Sequence, residues 1–108
     1  MRWGCYRKSE VTMHAAIRRY KAKPGSASEL ARRAQEGFVP LVSGLPGFIA
    51  YYGLAVDNDV VTVSIFEDQA GEEESTRRAA EWVKHNLAEF LEGSPEVIAG
   101  HVDWHSWG

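Results

Sequence analysis

The final residues HVDWHSWG set His101, Asp103 and His105 at alternate positions, interleaved with Trp104 and followed by Trp107. Two imidazoles and a carboxylate are the ligand types of many zinc and non-haem iron sites. A strand would bring all three to one side, because its side chains alternate between faces. At a rise of about 3.3 Å per residue, however, His101 and His105 stand about 13 Å apart on a regular strand. Metal–nitrogen bonds are only about 2.0–2.1 Å long, so one ion engages both only across a bulge or bend. The motif is therefore read as the polar face of a last strand, with no metal and no cofactor expected.

Other chemistry-bearing residues lie further upstream. His14, Ala16, Arg18 and Tyr20 alternate onto one face of a first strand. An arginine directed into an apolar cavity is costly unless it meets a carboxylate, a phenolate or an anionic ligand, so Arg18 is informative if buried and ordinary if it reaches solvent. His14, if it faces the same cavity, is a candidate proton relay. Tyr51 and Tyr52 point to opposite faces; Tyr52, four residues after Phe48, is expected to share its helix-side face and to line a pocket. Ser64 shares a face with Phe66 and is placed to donate one hydrogen bond to a ligand, but has no recognisable base beside it to make it a nucleophile. Trp82 and Asn86 flank the apolar stripe of a second helix, as pocket wall or core, whereas His85 falls nearly opposite that stripe, toward solvent.

These residues need elements to hold them. MHAAIRRYKAK (13–23) reads as a strand closed by Pro24-Gly25. Ser26-Ala27-Ser28-Glu29 has the spacing of a capping box, and Leu30, Ala31, Ala34, Phe38, Leu41, Val42 and Leu45 follow at helical intervals. Pro40 should kink this helix or split off its last turn. FIAYYGLAV (48–56) and VVTVSIFE (60–67) form a hairpin around Asp57-Asn58-Asp59. In the second of these runs Val61, Val63 and Ile65 share one face, while Val60, Thr62, Ser64 and Phe66 share the other; both look at least partly buried. Asp68 caps the next helix, with Glu72, Glu73 and Glu74 near its positive end, and Arg77 and Arg78 are expected to pair with nearby carboxylates. Thr76, Ala79, Ala80, Val83, Leu87, Phe90 and Leu91 make its sheet-facing side. After Gly93-Ser94-Pro95, EVIAGHVDWHS supplies a fourth strand. The order βαββαβ is the ferredoxin-like plan, an α+β fold with an antiparallel four-stranded sheet and two helices on one face. A second copy of the chain would cover the other face.

Length and composition bound the rest. The 108 residues suit one domain, here 13–108, behind an N-terminal extension, 1–12, expected to be disordered, with Met13 as a candidate natural start. A net charge of -3 gives no general attraction for nucleic acid or anionic lipid. VVTVSIFED also lacks the basic–aromatic pattern of an RNA-recognition motif. No run approaches the roughly 20 apolar residues of a membrane span, and the single Cys5 cannot form an internal disulfide, so a cytoplasmic location is expected.

LPGFIAYYG, the FED leading into the second helix, and ESTRRAAEWVKHNLAEF carry a family resemblance over about residues 13–102. The chain resembles the dimeric α+β-barrel superfamily, and within it small proteins similar to antibiotic-biosynthesis monooxygenases, most closely a bacterial branch of them. The resemblance implies a homodimer whose subunits each bind a small aromatic or hydrophobic molecule between sheet and helices. It also implies a cofactor-independent oxygenation of an electron-rich aromatic or polyketide-like substrate, with Arg18 stabilising a developing phenolate or enolate. Tyr52, Ser64, Phe66, Trp82 and Asn86 would then form the substrate site, and His14 would relay a proton. Trp82, Tyr51 or Tyr52, and Arg18 approximate part of the Asn/Trp/Tyr/Arg set of the polyketide oxidases. The asparagine and histidine of haem-degrading relatives are not matched, since Arg18 stands at the asparagine position and His85 points away. The alternative is a non-catalytic ligand-binding or interaction module of the same fold.

Overall fold

The structure, a computed structural model, describes residues 12–107. The expectations for the N-terminal extension fall, Thr12 apart, outside the described residues. Strand β1 (His14–Lys21) leads to helix α1 (Ala27–Arg33), a π-helical turn (Ala34–Phe38) and helix α2 (Val39–Ser43). The hairpin β2 (Phe48–Val56) and β3 (Asp59–Phe66) follows, then helix α3 (Gln69–Asn86), a 3-10 turn (Ala88–Phe90) and strand β4 (Glu96–His101). The four strands lie in the order β2-β3-β1-β4 and every neighbouring pair is antiparallel. This is the ferredoxin-like α+β arrangement, and it places β1 and β3 at the centre of the sheet.

The alternation expected along β3 is present: Val60, Thr62, Ser64 and Phe66 are buried, while Val61, Val63 and Ile65 are half-buried. The buried set packs with Ala16, Arg18 and Tyr20 of β1 beneath the helices. Two clusters fill the interior. Tyr20, Leu30, Val60, Val83 and Leu87 form one, and Phe38, Val42, Phe66 and Ala79 the other. Trp82 packs against both. Its ring comes so near the π-helical turn that a Cβ on Gly37 would stand 2.5 Å from it.

Local signals fare unevenly. Asp68 caps α3 as expected, its Oδ1 accepting from the Gly71 amide at 2.8 Å. Ser26 precedes α1 but makes no side-chain capping bond, and Glu29 turns instead to Arg32 and Arg33. A guanidinium pair one turn away offers a carboxylate stronger, charge-assisted bonds than a backbone amide does. Hydrogen bonds from Arg32, then Arg33, hold the Glu29 carboxyl down to about 2. Arg77 and Arg78 pair with Glu74 at 2.7 and 2.8 Å, as their spacing implies. Glu72 does not lie with its neighbours at the helix surface; it is 5% exposed and turns inward. The last strand stops at His101 and is followed by one more ladder-like bond, from the Val102 amide to the Met13 carbonyl at 2.8 Å, so Asp103 and His105 lie beyond the strand.

A bulge in β2 reverses one expectation. Phe48 faces Phe66 and Ala50 faces Ile65, so Ile49 is an extra residue in the edge strand. Beyond it Tyr51 pairs with Ser64 and Tyr52 with Val63. Tyr51 therefore points under the helices, and Tyr52, 54% exposed, lies on the open face of the sheet. Counting four residues from Phe48 assumed an unbroken period of two, and the inserted residue shifts that period by one.

Candidate functional site

Arg18 is the centre of the site. It sits on β1, a central strand, with its side chain directed under α3, and is 2% exposed. Its Nη1 donates to Ser64 Oγ on β3 at 3.0 Å. Its Nη2 donates to Ser75 Oγ and Thr76 Oγ1 on α3, both at 3.1 Å. Thr76 Oγ1 in turn donates to Glu72 Oε2 at 2.9 Å. Nε has no hydrogen-bond partner among the described residues. The guanidinium is thus held by three neutral hydroxyls, with its carboxylate one hydroxyl away. Ser75 and Ala79, both buried, give α3 a small-residue face that lets it approach the sheet closely enough for these bonds.

A cavity of about 530 Å³ opens beside this cluster, between α3, β1 and the chain leading into β4. Arg18, Tyr20, Thr76 and Val83 form its inner wall, with Lys84 and Val97 also lining it. Two of its lining residues are cationic and none is acidic, so its field favours a ligand carrying negative charge. Burial pushes the Tyr20 phenol up to about 12, outweighing the pull of the neighbouring Arg18 guanidinium in the other direction. Tyr20 is therefore a neutral hydroxyl here, able to hydrogen-bond a ligand but not to act as a base near neutrality.

Of the residues singled out from the sequence, Arg18 and Ser64 come together, and Ser64 Oγ is engaged by the guanidinium. Tyr52 is on the other face of the sheet, for the reason given above. Phe66 is wholly buried in the core, edge-on to Phe48 with ring centroids 5.8 Å apart. Trp82 packs on Phe38 at 5.7 Å and does not line the Arg18 cavity. Asn86 is exposed at the end of α3, where its Nδ2 donates to the Trp82 carbonyl at 2.8 Å, closing the helix. His14 also lies outside the cavity lining, its ring meeting that of His101 edge-on at 5.1 Å. His101 Nδ1 lies 3.4 Å from Asp103 Oδ1, and among the described residues no group of three or more His, Cys, Asp or Glu is arranged to hold a metal ion.

The sequence reading missed Ser75 and the inward turn of Glu72, and it chose Tyr52 over Tyr51 for the helix side. Helical periodicity placed Thr76 on the sheet-facing side, and Ser75 is its immediate neighbour on the same edge of that stripe; a polar pair there was the available signal.

A four-stranded antiparallel sheet, helices on one face and a cationic pocket beneath them define an α+β domain of the ferredoxin-like type with its site on the helix side. Residues 13–80 match the family model described as antibiotic biosynthesis monooxygenase, and the chain belongs to that family. A comparison with curated proteins finds no match. Among solved structures, a protein of unknown function from Nitrosomonas europaea superposes with a TM-score of 0.79 at 23% identity, over 92% of this chain and 97% of the other. A monooxygenase from Streptomyces coelicolor, in complex with nanaomycin D, gives a TM-score of 0.70 at 18% identity, over 94% and 96%. SnoaB, a cofactor-independent oxygenase from Streptomyces nogalater, gives 0.66 at 13% identity, over 86% and 95%. Identities this low show the shared fold.

Proposed function

We propose that the protein is a homodimeric, cofactor-independent monooxygenase acting on an electron-rich aromatic or polyketide-like phenol, with one pocket in each subunit. The observation that carries this reading is the buried guanidinium of Arg18, paired only with neutral hydroxyls and lining a cavity with no acidic wall. Family membership supplies the reaction class, and the two Streptomyces oxygenases supply precedents on the same fold.

A phenol bound with its oxygen toward Arg18 loses its proton more readily, because the cation favours the phenolate. The charged ring then supplies electrons to dioxygen and a ring carbon forms a bond to it. Cleavage of the O–O bond leaves a quinone carbonyl; the second oxygen departs as water with the former phenolic and ring hydrogens. Phenol and dioxygen thus give quinone and water, with every electron taken from the substrate. Ser64, Ser75 and Thr76 fix the guanidinium, and Tyr20 offers a neutral hydroxyl to the substrate.

The second reading, a non-catalytic binding module, is favoured by one feature: no histidine, carboxylate or thiol lines the cavity to take up the proton. Oxygen uptake with 1-naphthol, followed by mass detection of 1,4-naphthoquinone, separates the two. The oxygenase should consume one dioxygen per quinone, and Arg18→Met should lower the rate by about 100-fold, the scale of losing a donor to a developing oxyanion. No uptake with any phenol tested, together with a retained small molecule in native mass spectrometry, assigns the binding role instead.

A further inference from the structure

Glu72 is a buried ionisable group that the reaction above leaves without a part. A carboxylate near the start of a helix interacts favourably with the exposed amides there, but it does so from the surface, where the neighbouring Glu73 stands exposed. Balancing the buried charge of Arg18 is the other ordinary role. Direct contact serves that role best, since a guanidinium and a carboxylate bond most strongly as a bidentate pair. Here the Thr76 hydroxyl stands between them instead, 3.1 Å from Arg18 Nη2 and 2.9 Å from Glu72 Oε2.

The partners fix the direction of both bonds. A guanidinium only donates, and an ionised carboxylate only accepts. The one Thr76 proton is therefore committed to Glu72, and one of its two oxygen lone pairs to Arg18. A single lone pair is left, on a half-buried residue that lines the Arg18 cavity, whereas Glu72 stands behind that wall. A group meeting this hydroxyl from the cavity must then bring a hydrogen-bond donor. With Glu72 protonated the chain reverses: the carboxyl donates to Thr76, and Thr76 donates into the cavity. Around this chain stand Arg18 and, on the same face of β1, His14, whose ring meets that of His101, with Tyr20 and Lys84 further along the cavity.

We infer that Thr76 and Glu72 form a two-step proton relay for the Arg18 cavity, an inference that rests on the phenol-binding reading above. A neutral phenol donates its O–H to the remaining lone pair of Thr76 Oγ1. Its proton passes to that oxygen as the Thr76 proton passes to Glu72 Oε2, leaving a phenolate beside Arg18 and a neutral carboxyl behind it. The complex as a whole neither gains nor loses a proton. When the second oxygen of dioxygen departs, the same path run backward returns the proton to it, and water forms with the ring hydrogen. Thr76 touches the substrate; Glu72 acts through it and is the positioning residue that aims its hydroxyl. The acceptor missing from the cavity wall is thus held one hydroxyl behind it.

The test uses the full chain and 4-nitrophenol, whose neutral and ionised forms absorb at different wavelengths, bound to saturation over a range of pH below the pKa of the free phenol. In wild type a measurable fraction should be bound as phenolate, and that fraction should not change with pH, because the transfer is internal. Glu72→Gln keeps the shape and still accepts from Thr76, but the proton must now leave to water, so the bound ratio of phenolate to phenol should rise about tenfold per pH unit. Thr76→Val removes the hydroxyl and leaves both charges in place; it should show the same rise, and it serves if Glu72→Gln does not fold. Thr76→Ser, which puts a hydroxyl back, should restore the constant fraction. Turnover of 1-naphthol by Glu72→Gln should fall about 100-fold with KM within about twofold of wild type. A wild-type ratio that rises as steeply as the variants', a bound phenol that stays wholly neutral, or a constant phenolate fraction retained in Glu72→Gln overturns the relay and leaves Arg18 as a phenol site. Absence of 4-nitrophenol binding by wild type removes that site, and the relay with it.

Discussion

A buried arginine held by Ser64, Ser75 and Thr76 gains little net stability from its bonds, because removing a guanidinium from water offsets most of what they return. Arg18→Met keeps the volume but strands the Ser64 and Ser75 hydroxyls and takes the cation from near the buried Glu72 carboxylate, so thermal unfolding should show a loss of about 2–4 kcal/mol. Turnover measured per folded molecule, at a temperature where Arg18→Met is still folded, separates that structural loss from the loss of a group held for a ligand. Tyr20 gives a pH dependence of definite sign. Its folded pKa is raised from 10.0 to about 12, chiefly by burial, so its contribution to stability is complete below pH 10.0 and is lost as pH rises toward about 12. Melting temperatures between pH 8 and 12 should fall more steeply for wild type than for Tyr20→Phe. At this scale the sequence told which residues alternate with Arg18 and left open whether the charge was buried. Burial depends on how closely α3 meets the sheet, and that distance is set by Ser75 and Ala79 together with the strands opposite, a relation no single segment contains.

Among the elements, strands and helices were legible because each repeats its own period: β2 runs over the residues expected of it, and the helical stretch before it divides near Pro40. Single-residue departures were not. Ile49 interrupts β2 without any proline or glycine of its own to announce a bulge, and the capping spacing at Ser26 was overridden by arginines one turn further on. The π-helical turn offers a direct test. Gly37→Ala ordinarily gains helix propensity, but here the new methyl would stand 2.5 Å from the Trp82 ring. Overpacking should win, lowering stability by about 1–3 kcal/mol in a denaturant titration. An equal or higher midpoint would mean that the Trp82 ring moves aside at little cost.

Among the described residues of the whole molecule, one face of the sheet carries no helix. Tyr52, Val63, Ile17 and Ile98 stand in register across all four strands, and Ile98 is 70% exposed. A row of apolar side chains on an otherwise folded chain fits the second copy proposed above. Ile98→Glu should weaken self-association by about tenfold or more in sedimentation equilibrium, while the melting of the isolated chain changes little. The apolar character of both sides of β3 was plain in the sequence; which tyrosine belongs to which side was not. The extra residue at Ile49 upsets the count from Phe48. Loss of one codon there would remove only the bulge: Phe48 would still face Phe66 and Tyr51 would still face Ser64, so both tyrosines would keep their sides. In a lineage of such chains, the start of this edge strand can lose that residue in one genetic step while the interior and the outer surface keep their side chains.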